Sequence, residues 1–314
     1  MVLILTSELN KMNLKSFYCE GVQFSCQSVS FPRYPDGELD GTSWRSLCLL
    51  LKKASQPIVC IDSLNSDGLF PWILFLRTLH NLFPDAAVVF IATYLAYTRQ
   101  ALPQTNPALL LLRDTLSLFS RTHCFVVDPH QSLVSLGFES IELCDFYKTL
   151  LQQFSPSTSV LVSPDKGREH FVRVLSDQTH LPALFLNKSR TPKGIEITVD
   201  VSNNEENLHD KDVIILDDMI DSGATILSVM ATLKKKDPRS FHLFITHWLL
   251  QKEKEDAFYD NLSQYALPIY LYRTNTVSCR PFPKNLSPYI SCVTLDLSGE
   301  IQQCIQKILK KYVS

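Results

Sequence analysis

The sequence contains neither a GxxxxGK[ST] loop nor a GxGxxG, so the two common glycine-rich phosphate cradles are both missing. It has no C-x-x-C pair and no Cys/His cluster. Its nine cysteines (Cys19, Cys26, Cys48, Cys60, Cys124, Cys144, Cys279, Cys292 and Cys304) stand singly, several of them in apolar runs. That dispersal argues against structural zinc and against a disulfide framework, and for reduced thiols in a cytoplasmic protein. No apolar run reaches the ~18 residues of a membrane span. The short apolar start, Met1 to Thr6, lacks a basic lead and a cleavage site and reads as a first strand rather than a signal. Neither sign of charge dominates: the net charge is −2, so nothing advertises nucleic acid or an anionic membrane as a partner. What is present is an apolar share of 45% over 314 residues, enough to build cores in about two domains.

Apolar, β-branched segments recur with helical patterns between them. Val2 to Leu5, Pro57 to Ile61, Ala87 to Thr93 and His123 to Val127 predict strands, with helices over 44–54, 69–82 and 107–120. After a helix over 141–154 the alternation restarts. Val160 to Val162, Ala183 to Leu186, Val213 to Leu216, Phe241 to Thr246, Pro268 to Tyr272 and Cys292 to Leu297 predict the second set of strands, with helices over 168–176, 226–236, 253–262 and 300–311. Repeated βα units imply parallel sheets flanked by helices. The expectation is therefore an α/β protein of two similar domains, 1–147 and 148–298, with a last helix over 299–314 that packs on the first. The polar run Ser202 to Lys211 predicts an exposed loop.

The chain is organised around Val213 to Ile226 (VIILDDMIDSGATI). Four apolar residues form a strand buried on both faces. Two adjacent carboxylates, Asp217 and Asp218, end it; a short turn follows, and Ile226, Val229, Met230 and Leu233 then recur at helix spacing. Backbone N–H groups of Ser222 to Thr225 at a helix start suit a phosphate, with the hydroxyls of Ser222 and Thr225 as further donors and Gly223 allowing close approach. Asp217 and Asp218 repel a phosphate, but they suit sugar hydroxyls or a magnesium ion travelling with phosphates. Amides for a phosphate beside carboxylates for a diol describe a site for ribose 5-phosphate. An acidic strand end also occurs in nucleotide-hydrolysing folds, but that arrangement needs the glycine-lysine loop missing here.

The stretch resembles the ribose-phosphate loop shared by phosphoribosyltransferases and ribose-phosphate diphosphokinases (PRPP synthases). Five further segments resemble the second family in order and spacing. They are Arg33-Tyr34-Pro35-Asp36-Gly37-Glu38, Tyr94 to Gln100 (YLAYTRQ), Asp128-Pro129-His130, Ser163-Pro164-Asp165-Lys166-Gly167 and Lys188-Ser189-Arg190. Taken alone, each also fits a bland reading: a turn, a strand-end histidine or a solvated pair of cations. The resemblance implies a transfer of the β,γ-diphosphoryl group of ATP to the 1-hydroxyl of ribose 5-phosphate. In it Lys188 and Arg190 are catalytic, and Asp36, Gly37, Glu38, Arg99 and Gln100 contact ATP. Asp217, Asp218, Asp221, Ser222, Gly223, Ala224 and Thr225 hold ribose 5-phosphate, and Asp128, His130 and Asp165 serve Mg²⁺. It also implies a homo-oligomer, because in that family the Asp-Gly-Glu loop comes from a neighbouring subunit.

The chain departs from the family pattern in several places. Ala101-Leu102-Pro103 replaces charged residues, Arg168 and Ala224 replace second glycines, Pro129 replaces an apolar residue and Pro35 a serine. None of these removes a residue assigned to chemistry. Two rivals share the motif: a plain phosphoribosyltransferase, which needs no second α/β domain, and a catalytically silent regulatory homologue, for which loss of Lys188, Arg190 or His130 would be expected.

Overall fold

The computed structural model describes residues 2–7, 17–19, 22–41, 44, 51, 55–99, 103–191, 194–199 and 208–313. The chain forms two compact units. The first comprises 1–142, Thr276–Ser278 and 296–314, and the second 143–275 and 279–295.

The first unit holds β1 (Val2–Ser7), β2 (Phe17–Cys19), β3 (Val22–Val29), β4 (Ser55–Leu64), β5 (Ala87–Leu95), β6 (Arg121–Val127) and β7 (Phe138–Ile141) in one sheet, ordered β2-β3-β1-β4-β5-β6-β7. All neighbours are parallel except the β2–β3 edge pair. Helices α1 (Ser66–Leu82) and α2 (Pro107–Leu116) bury Trp72, Phe75, Leu76, Leu79, Leu109 and Leu112 against it. β5 is buried along its whole length, as an apolar strand covered on both faces must be.

The second unit repeats the plan. β8 (Ser159–Ser163), β9 (Ala183–Thr191), β10 (Gly194–Val199), β11 (Asp212–Ile220), β12 (Ser240–Trp248), β13 (Ile269–Thr274) and β14 (Ile290–Leu295) are ordered β10-β9-β8-β11-β12-β13-β14. Only β9 and β10 run antiparallel. Its helices are α3 (Cys144–Leu151), α4 (Glu169–Thr179), α5 (Ala224–Lys234) and α6 (Lys252–Leu262), and a last helix, α7 (Ser298–Val313), belongs to the first unit. Two α/β sheets of mainly parallel strands flanked by helices agree with the sequence expectation.

Several elements differ from it. The helix predicted over 141–154 is shorter, covering only Cys144–Leu151, and Ile141 instead ends the edge strand Phe138–Ile141, which is buried at its two ends. β9 runs on to Thr191 because β10 pairs with it, and β10 was not predicted although Ile195, Ile197 and Val199 alternate. β2 and β3 were also missed. The helix expected over 44–54 and the start of the polar loop lie largely outside the described residues. Seven cysteines among the described residues are free thiols. No helix among them is long and apolar enough to cross a membrane.

Candidate functional site in the second unit

In the second sheet the chain order reverses between β8 and β11, and in open α/β sheets ligands bind beyond the strand C-termini at such a reversal. Ile215 lies opposite Val162, so the chain leaves β8 as Asp217 and Asp218 arrive on β11. Both carboxylates are buried, 8% and 6% exposed. Burial pushes the Asp217 carboxyl well above the usual range. Asp218 beside it, hydrogen-bonded to it, and Asp165 add to the push, while Arg168 opposes it. Arg168 is itself buried, with its guanidinium 3.6 Å from the centre of the Phe171 ring. The β8 loop is tightened by Ser163 Oγ donating to the Asp165 carbonyl (2.7 Å) and the Gly167 N–H donating to Asp165 Oδ1 (3.0 Å).

The loop Asp221–Gly223 leads directly into α5. Gly223 is the N-cap, at φ 76°, and no side chain caps the helix. The Ala224 N–H reaches only as far as Ser222 Oγ, at 3.4 Å. The sequence reading placed glycine here for close backbone approach to a ligand; the structure supplies a further reason. A Cβ on Gly223 would sit 2.5 Å from Phe258 Cδ2, so the ring of α6 occupies the space a side chain would need. Asp221 faces Lys254 of the same helix, Oδ1 to Nζ 3.9 Å.

The corresponding corner of the first unit differs in one decisive way. There, too, the order reverses, between β1 and β4, and α1 follows β4. But Asn65 caps α1, its side chain accepting from the N–H groups of Asp67 (3.1 Å) and Gly68 (2.7 Å). Those first-turn amides are already used. The adjoining cavity, about 170 Å³ and bordered by Arg33, Asp62, Ser63, Trp72 and Ser278, therefore lacks the donor nest that α5 offers.

The remaining predicted residues divide between the units. Asp36, Gly37 and Glu38 sit on an exposed hairpin turn, with Gly37 at φ 92° and the Arg33 guanidinium donating to the Gly37 carbonyl at 2.7 Å. Arg99 is exposed just after β5, beyond Tyr97 at φ 70°. Asp128, buried with φ 41°, and exposed His130 follow β6. The Gln131 amide donates to the Thr98 carbonyl and so joins these last two segments. Lys188 and Arg190 lie on β9 in register with Ile197 and Ile195 of β10. Gln100, with Ala101 and Leu102, lies outside the described residues. Asp165 belongs to the second unit, and Asp128 and His130 to the first.

No group of three or more His, Cys, Asp or Glu among the described residues is arranged to hold a metal. Magnesium does not need such a cage, because it keeps water and binds through one or two carboxylates plus substrate phosphates. The hard oxygen donors of the crowded Asp165, Asp217 and Asp218 fit that chemistry. Arg168, Lys254, Phe258 and Asn65 were not singled out for the site from the sequence. Only Arg168 carried a signal, standing beside the predicted β8 loop.

The phosphoribosyl transferase domain model matches residues 144–264, which include β8, β11 and α5. A ribose-phosphate pyrophosphokinase of Ureaplasma parvum serovar 3 is 23% identical over 269 residues, 82% of this chain and 78% of its own. One of Wolinella succinogenes is 27% identical over 235 residues, 72% and 73% of the two chains. The fold is similar to that of phosphoribosylpyrophosphate synthetase from Mycobacterium smegmatis, with TM-score 0.70 and 15% identity over 99% of each chain. The second unit thus carries the phosphoribosyl transferase domain match, and the first unit repeats its plan of a mainly parallel sheet flanked by helices. Along most of its length the chain is similar to ribose-phosphate pyrophosphokinases (PRPP synthases).

Proposed function

We propose that the protein is a ribose-phosphate diphosphokinase. The 1-hydroxyl oxygen of ribose 5-phosphate bonds to Pβ of ATP, the bond from Pβ to the oxygen bridging it to Pα breaks, AMP leaves, and the hydroxyl proton passes to solvent. The observation that carries this reading is the α5 start: first-turn amides without a side-chain cap, directly after two buried carboxylates. Amides of 222–225 hold the 5-phosphate, and Asp217 and Asp218 accept from the ribose hydroxyls. Asp36, Gly37, Glu38, Arg99 and Gln100 serve ATP. Lys188 and Arg190 neutralise charge on the transferring group, an effect on the order of 3 kcal/mol each in a dry site. Asp165, Asp128 and His130 would serve Mg²⁺, which when bound would supply screening of the diphosphate charge. The protein's share of such a reaction is alignment and electrostatics. Self-association follows from the same reading, with Asp36 to Glu38 delivered to a neighbouring copy.

The test is incubation with ATP, Mg²⁺ and ribose 5-phosphate, with nucleotides separated by ion exchange and the sugar followed by ³¹P NMR. AMP formed together with a new diphosphate ester is the expected result. ADP instead of AMP would assign a simple kinase. Ribose 5-phosphate binding with no nucleotide product would identify a silent homologue.

A further inference from the structure

Helix α6 touches the phosphate loop at two points one turn apart. Phe258 packs its ring on Gly223, and Lys254, four residues earlier and hence on the same face, pairs with Asp221. The helix cannot drift from the loop, because its next residue is anchored in the core. Glu255 is 1% exposed and accepts from Trp248 Nε1 (2.7 Å), Tyr259 Oη (3.1 Å) and the guanidinium groups of Arg273 (3.5 Å) and Arg280. Lys254 is thus a cation carried on a fixed base at the rim of the loop, with its side chain half exposed.

An exposed ion pair at 3.9 Å contributes little by itself to folding. Its setting is acidic: Asp165, Asp217, Asp218 and Asp221 all border the site, and the influence of Arg168 falls on Asp217. A phosphomonoester dianion entering at 222–225 meets amide dipoles but also these carboxylates. A lysine has three N–H donors, so pairing with Asp221 does not exhaust it. We infer that Lys254 is a binding residue for the phosphate of the sugar, discriminating ribose 5-phosphate from unphosphorylated ribose, with α6 as the wall that presents it.

This rests on the ribose 5-phosphate reading, so the experiment separates the two. Calorimetry is run with ribose 5-phosphate, inorganic phosphate and ATP on the full chain, on Lys254→Gln, on Lys254→Arg and on Lys252→Gln, which makes the same charge change on the same helix. Lys254→Gln should weaken ribose 5-phosphate and inorganic phosphate about tenfold, the loss of one screened charge-assisted contact. ATP affinity should stay within twofold, Lys254→Arg should restore most of the loss, and Lys252→Gln should behave as the parent. Wild-type affinity should also fall more steeply with salt than that of Lys254→Gln. Equal affinity of Lys254→Gln and wild type, or an equal loss in Lys252→Gln, overturns the inference. If the wild type binds inorganic phosphate but not ribose 5-phosphate, the sugar reading fails; a loss of phosphate binding confined to Lys254→Gln still upholds the role of Lys254.

Discussion

Replacing Gly223 by alanine tests the loop most directly, and its cost follows from two separate terms. A residue with a Cβ at φ 76° carries about 1–2 kcal/mol of left-handed strain. The new methyl also meets Phe258 at 2.5, 3.1 and 3.3 Å, and overpacking of a buried contact costs about 1–3 kcal/mol. Together they predict a loss of about 2–5 kcal/mol, a large share of a typical domain's stability. Phe258→Ala alone should cost about 3–5 kcal/mol as a cavity. In the double variant the overlap disappears while the strain stays. The pair should therefore be less destabilised than the sum of the single changes by about 1–3 kcal/mol. Urea unfolding of the four proteins measures this cycle, and calorimetry with ribose 5-phosphate reports the loop. Gly223→Ala within about 0.5 kcal/mol of wild type, or strict additivity with Phe258→Ala, would refute the packing argument.

Under the proposed function, Lys188→Ala should lower kcat by roughly two orders of magnitude and leave ribose 5-phosphate affinity within a few-fold, since its charge acts in the transition state; steady-state AMP formation decides. Asp217→Asn removes a buried charge crowded by Asp218 and Asp165 and should abolish ribose binding while raising stability by about 1–2 kcal/mol near pH 8. Because the folded-state affinity of Asp217 for its proton is raised, its favourable contribution is present at low pH and lost as pH rises, so the gain in melting temperature should vanish toward pH 4. His242, buried among Phe154, Tyr270 and Tyr272, is pushed down to about 4 by burial. Its lowered value means that stability is full above about pH 6.5 and is lost as pH falls toward 4, by no more than about 3 kcal/mol. His242→Phe should flatten that slope in urea titrations between those pH values, and an unchanged slope would remove His242 as its source.

Much of the architecture was legible because it is written in short-range periodicity. Apolar β-branched runs such as Val213 to Leu216 and 3.6-residue spacing such as Ile226, Val229, Met230 and Leu233 are consequences of backbone geometry, and they became β11 and α5. The β9–β10 hairpin was not legible in the same way. Lys188, Arg190 and Glu196 dilute the apolar signal of a pair that forms one edge of the sheet. β7 was missed, with only its last residue, Ile141, placed in a helix, because four residues are too few to establish a period.

The sequence alone singled out the stretch proposed to hold a phosphate, because an acidic strand end, a small-residue turn and an amphipathic helix lie consecutively on the chain. Only the tertiary structure decided what surrounds that stretch. The order β9-β8-β11 brings Asp165 and Arg168 beside Asp217, and α6 sets Phe258 under Gly223 and Lys254 beside Asp221. Those partners lie about 30 to 50 positions away in sequence. Their meeting is set by strand register and helix packing, which depend on the whole core rather than on any local pattern.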